Sequence, residues 1–135
     1  MLFCRLPGWR RERRHVKVDI LLSLKAKLWI PRVLSPDTHH FKGIPVTPLF
    51  DLLVIKISGW KAHRASRRAD FLAKEGADIS DVRALLDQAL VERVSYQDEK
   101  RHYGRSFMNR ALRLALSFVE ICGDRPKFQA LGFPV

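Results

Sequence analysis

Residues 50–60, FDLLVIKISGW, limit what this chain can fold into more than any other stretch. Nearly every side chain in it is apolar and must be covered, yet the run falls well short of the ~18 residues that a membrane span needs. It therefore reads as a helix in a protein core. Thr47-Pro48 supplies the start, with Thr as N-cap and Pro at the first helical position. Advancing about 100° per residue from Leu49 puts Leu49, Leu53, Ile57 and Trp60 on one side, with Phe50 and Leu52 at its margins and Asp51 and Ser58 opposite. Lys56 lands between Leu52 and Trp60, inside the apolar stripe. An unpaired ammonium there is costly, so Lys56 requires an acid.

The segments on either side complete the layout. VKVDILLSL, residues 16–24, is rich in Val, Ile and Leu and reads as a strand buried on both faces, which makes its one acid, Asp19, conspicuous. AKLWI reads as a second short strand ended by Pro31, residues 32–43 as a loop, and IPV as an extended piece before the helix. After a basic linker, DISDVRALLDQAL reads as a second helix with Asp78 as N-cap, Asp81 in its first turn, and Val82, Leu85, Leu86 and Leu90 facing the core. SYQDEKRHYGRSF opens a third, with Ser95 and Asp98 as a variant capping box. FMNRALRLALSFVEICG is an amphipathic fourth, with Arg110 and Arg113 on one exposed side and Gly123 and Pro126 as stops. Phe128, Leu131 and Phe133 of the tail pack back. Strands followed by helices define an α+β fold: two or three N-terminal strands, then about four helices, in one domain over 15–135 behind a basic arm over 1–14.

Length and composition fit that reading. A chain of 135 residues, 47% apolar and 29% charged, is expected to fold as one soluble domain. The start, MLFCRLPGWRRERR, turns basic too soon for a secretory signal, so Cys4 and Cys122 are expected as free thiols in an intracellular protein, cytoplasmic or nuclear, with no membrane attachment. The net charge of +11 is the strongest compositional feature and implies attraction to polyanions. The cations are clustered. Arg5, Arg10, Arg11, Arg13, Arg14 and Lys17 face only Glu12; Lys61, Arg64, Arg67, Arg68 and Lys74 face Asp70; Lys100, Arg101, Arg105, Arg110 and Arg113 form a third group.

The common catalytic signatures are missing. There is no G-x-x-x-x-G-K-[ST], no G-x-G-x-x-G and no G-x-S-x-G, and the Cys and His spacings fit no zinc site. His39 and His40 read as loop histidines, and His15, His63 and His102 as isolated ones. What remains is a charged set, with two readings. In the structural one, Lys56 forms an ion pair with Asp78 or Asp81, or with Asp19, and fixes how two helices dock. In the functional one, Lys56, Arg64, Arg67, Arg68 and Lys74 face the phosphate oxygens of RNA or a nucleotide. A structural or protein-interaction module with incidental basic charge is the alternative to phosphate binding.

The order VKVDIL, then GIPVTPLFDLLVIKISGWKAHR, then KEGADISDVRALL resembles the second half of nucleotidyltransferase-fold proteins of the abortive-infection toxin type, and uncharacterised fungal proteins that share the pattern. The likeness spans roughly residues 15–90. It implies Asp19 as the third metal-site carboxylate, Lys56 as the helix lysine, and Asp78 and Asp81 as the acids that orient it. That family places a Gly-rich turn and a D-x-D segment upstream of this strand; here Glu12 is the sole acid before Asp19. One carboxylate cannot hold the paired magnesium ions of in-line nucleotidyl transfer, so the domain is expected to be incomplete and non-catalytic, binding Mg only if a longer chain supplied the missing acids.

Overall fold

The computed structural model describes residues 2–4, 16–18, 39–41, 43–66 and 68–135. Its elements are β1 (Leu2–Cys4), β2 (Val16–Val18), β3 (His39–Phe41), β4 (Ile44–Val46), α1 (Leu49–Arg64), α2 (Ala69–Leu72), α3 (Glu75–Val91), α4 (Tyr96–Glu99), α5 (Arg105–Cys122) and α6 (Arg125–Ala130).

The expected α+β fold is overturned. Among the described residues the architecture is helical, and the core is drawn entirely from residues 50–133. The strands are three-residue pieces in two separate antiparallel ribbons, β1–β2 and β3–β4, with Leu2 opposite Val18 in one and His39 opposite Val46 in the other. Two-stranded ribbons of this length cannot serve as the layer on which helices pack. Hydrophobic content alone suggested the strands, and a short apolar run does not distinguish a sheet strand from a ribbon edge. Of the strand expected over 16–24, only Val16–Val18 is described; Asp19 and AKLWI lie outside the described residues, as does most of the arm.

α1 is the central element. α3 packs on one side of it and α5 on another, which is why its sequence is apolar around most of its circumference. Leu53, Ile57 and Trp60 are buried with Val82, Leu86 and Ala89 of α3 and with Ala111, Ala115 and Phe118 of α5. Trp60 meets Phe118 edge-on, ring centroids 4.9 Å apart, in the geometry the aromatic quadrupoles favour. The tail closes the other end. Phe128, Leu131 and Phe133 are buried, Phe133 lies 4.5 Å from Tyr96 and 6.0 Å from Phe50, and Tyr96 N donates to Leu131 O at 2.8 Å. Leu85 and Leu90 pack against this core from its edge.

Helix ends differ from the sequence reading in instructive ways. α1 begins at Leu49, so Pro48 (φ −52°) holds the N-cap place and Thr47 does not cap it. α3 begins at Glu75, three residues before Asp78, so Asp78 and Asp81 lie within the helix. Ser95 stands at the N-cap of α4 with extended backbone, but its hydroxyl makes no capping bond and the helix is a single turn. In each case main-chain bonds close the first turn, as in Leu52 N to Pro48 O at 3.0 Å, and the side chain is left for other partners. The stop after α5 is as read: Gly123 has φ 85°, which a side chain would resist, and Pro126 opens α6. Arg83 of α3 completes this corner, donating to Cys122 O at 3.1 Å and to Asp124 Oδ2 at 2.8 Å, a cation set against a helix C-terminus.

Candidate functional site

Most of the cations expected at phosphate are occupied by acids. Lys56 Nζ donates to Asp81 Oδ2 at 2.7 Å, with the lysine side chain 42% exposed. Lys56 is thus not a buried ammonium: its aliphatic stem lies along α1 while the charged end reaches water and α3. Asp78 does not join it; Asp78 Oδ2 lies 2.6 Å from His63 Nδ1. Arg64 donates to Glu75. Arg68 grips Asp70 with two bonds, Nε to Oδ1 at 3.0 Å and Nη2 to Oδ2 at 2.7 Å. That pairing raises the Arg68 pKa and lowers that of Asp70. Phe71 organises the remainder: His63 stacks on it at 4.7 Å, the Arg68 guanidinium stands 4.4 Å from its centroid, and Lys74 Nζ 5.8 Å. Arg67 lies outside the described residues. These contacts tie α1, α2 and α3 together and neutralise much of the charge the sequence placed there.

A different set of cations faces an open groove between α1 and α5. Its volume is about 370 Å³ and it is lined by Ser58, Lys61, Ala62, Ala65, Arg110, Arg113 and Leu114. No acid is among the described residues that line it. Ala62 and Ala65, at the end of α1, line it with small side chains between the long basic ones. Two bonds brace it from opposite sides: Lys61 Nζ of α1 donates to Ser117 Oγ of α5 at 2.7 Å, and Arg110 Nη2 of α5 donates to Ser58 Oγ of α1 at 2.9 Å. Arg110 and Arg113 do not share an exposed side as the helical reading had it. Arg113 is exposed, whereas Arg110 is half-buried with its Nε covered, because α1 lies over that flank of α5. Cations from two helices thus converge on one concavity, a setting suited to phosphate oxygens.

Asp51 and Ser58, the polar residues opposite the apolar stripe of α1, are both buried. Asp51 is fully buried, with the Tyr103 hydroxyl beside its carboxyl, and neither carboxylate oxygen makes a hydrogen bond of regular geometry. Burial pushes its pKa from 3.8 up to about 6, the hydroxyl of Tyr103 opposes the rise, and the charge of Glu99 adds to it. A hint was present: with α1 apolar on nearly all faces, the side opposite Leu53 and Trp60 also needed cover. Burial also raises the pKa of the Cys122 thiol, against the opposing pull of Arg64 and Arg83.

Among the described residues no three His, Cys, Asp or Glu side chains gather as a metal site would require. No helix among them is long and apolar enough to cross a membrane. Compared with known proteins, the chain matches no family model, no curated protein and no solved structure.

Proposed function

We propose that this protein is a non-catalytic helical domain that binds the phosphate backbone of RNA through the α1–α5 groove. The observation that carries the reading is the groove itself: Lys61, Arg110 and Arg113 line it, with no acid among the described lining residues, in a chain of net charge +11. Of the two acids that the nucleotidyltransferase resemblance assigned to orienting Lys56, Asp81 pairs with it and Asp78 pairs with His63 instead. Arginine forks and a lysine point charge suit phosphodiester oxygens, and binding through them requires no particular base sequence.

Fluorescence anisotropy with a labelled single-stranded RNA, titrated over a range of NaCl concentrations, tests the proposal. Each neutralised phosphate contributes about −0.7 to the slope of log K against log salt, so three contacts give a slope near −2. Lys61→Gln and Arg113→Gln should each make it shallower by about 0.7. A flat salt response, or unchanged binding by the double variant, would overturn the reading and favour a protein-interaction role. Tighter binding of a mononucleotide than of the oligonucleotide would place the ligand, instead, among small nucleotides.

A further inference from the structure

Residues 96–104, which run from α4 to the start of α5, are tied to the core at both ends. At the first end Tyr96 is buried, its N donates to Leu131 O at 2.8 Å and its hydroxyl to Met108 O at 3.4 Å. At the other, Tyr103 stacks on Phe50 with ring centroids 5.9 Å apart, meets Phe107 at 4.8 Å, and sets its hydroxyl beside the Asp51 carboxyl. Between these anchors α4 is a single turn, and Lys100, Arg101 and His102 are exposed. The main-chain bonds there are local: Arg101 N to Asp98 O at 3.0 Å, His102 N to Glu99 O at 3.0 Å and Tyr103 N to Glu99 O at 3.1 Å. A short, exposed segment with local bonds is the kind that opens while the core stays folded.

Asp51 is placed to control that opening. Its side chain is fully buried, and neither oxygen has a regular hydrogen bond. A protonated carboxyl tolerates such a setting, whereas a carboxylate lacks the several donors that water would give it. From α4, Glu99 sets a second negative charge against it. The acids of α3 are turned to other partners, Asp81 to Lys56 and Asp78 to His63, and Arg110 of α5 donates to Ser58, two turns further along α1. The tail brings apolar Phe128, Leu131 and Phe133, and the turn before α5 carries Lys100, Arg101, His102 and Arg105, all exposed. We propose that Asp51 and Tyr103 form a pH-sensitive latch on residues 96–104, closed while the Asp51 carboxyl holds its proton and opening to admit water once the proton leaves. The latch does not depend on what the α1–α5 groove binds.

Hydrogen–deuterium exchange of the full chain between pH 4 and pH 7, read by mass spectrometry, tests the latch. Each wild-type rate is compared with that of Asp51→Asn at the same pH, which cancels the intrinsic pH dependence of exchange. The carboxyl titrates at about 6 when closed in and near 3.8 when hydrated, so its hold on the closed segment is complete below about pH 3.8 and is lost as pH rises through about 6. Protection of the amides in 96–104, relative to Asp51→Asn, should therefore fall roughly thirty- to hundredfold across this range, while amides of α1, α3 and α5 keep a constant ratio. Glu99→Gln should move the fall to lower pH, because it removes the charge that opposes ionisation. His102→Gln should leave the fall in place. A ratio that stays constant with pH over 96–104 would overturn the latch. So would an equal fall across α1, α3 and α5, which would make the cost of ionisation global, and so would disappearance of the fall in His102→Gln, which would assign it to the histidine.

Discussion

Asp51→Asn is the sharpest probe of how this molecule is packed. The substitution keeps the shape of the side chain and removes its charge. The folded state holds the carboxyl at a pKa of about 6 against 3.8 when unfolded, so it binds the proton more tightly than the unfolded chain does. The stabilisation from the protonated carboxyl is therefore complete below about pH 3.8 and is lost as pH rises through about 6. At about 1.36 kcal/mol per pKa unit, a shift of about two units amounts to roughly 3 kcal/mol at full ionisation. Asparagine carries none of this penalty at any pH. The gain in stability of Asp51→Asn over wild type should accordingly grow by about 2–3 kcal/mol between pH 4 and pH 7.5, a large fraction of a typical domain's 5–15 kcal/mol. Urea denaturation of both proteins at several pH values, followed by circular dichroism, measures it directly. Comparing the two proteins at each pH removes the contributions of the other ionisable groups. Glu99→Gln should reduce the effect, because the Glu99 charge adds to the rise. A difference between wild type and Asp51→Asn that stays constant with pH would mean that the carboxylate is solvated, and the burial of this face of α1 beside Tyr103 would be refuted.

Other consequences follow from the same structure. Lys56→Met, at an ion pair half open to water, should change stability by less than about 1 kcal/mol and leave RNA affinity unchanged; a clear loss of binding by the folded variant would assign Lys56 to the site. Phe118→Ala removes a fully buried ring packed on Trp60 and Phe128 and should cost about 3–5 kcal/mol in urea denaturation, whereas Leu116→Ala, on the exposed side of the same helix, should stay within about 1 kcal/mol. Truncation after Gly123 removes Phe128, Leu131 and Phe133 from the core and should abolish the cooperative transition; a well-folded truncated protein would show that the tail is not part of the core. Cys122 should react with a thiol reagent more slowly at pH 8 than a free cysteine does, and at the ordinary rate in urea, because burial raises its pKa.

Local chemistry specified a good deal of this protein. The 3.6-residue period marks α5, with Met108, Ala111, Leu114, Ala115 and Phe118 buried along one side and Gly123 as its stop. The bulky apolar side chains of FDLLVIKISGW required a covered helix, and Phe128, Leu131 and Phe133 had no stable place other than a core. These features arise from neighbours within a few positions along the chain, so they can be read from order alone. The fold class was not legible in the same way. VKVDILLSL has a strand's composition, but whether a strand founds a sheet depends on what pairs with it, and the pair described for Val16–Val18 is the short segment Leu2–Cys4. The site was hidden for a similar reason. A basic side chain binds phosphate only if no acid claims it, and Asp81, Glu75 and Asp70 reach Lys56, Arg64 and Arg68. Of these acids only Asp70 is a close neighbour in the sequence of the cation it holds. Packing α5 beside α1 brought Lys61, Arg110 and Arg113 to one groove from positions about fifty residues apart, and the Asp51 carboxyl of α1 is shut from water near Tyr103, more than fifty positions away in the sequence. Periodicity locates a side chain on its own helix; which charges meet, and which are buried, follows from the helix that comes to lie against it.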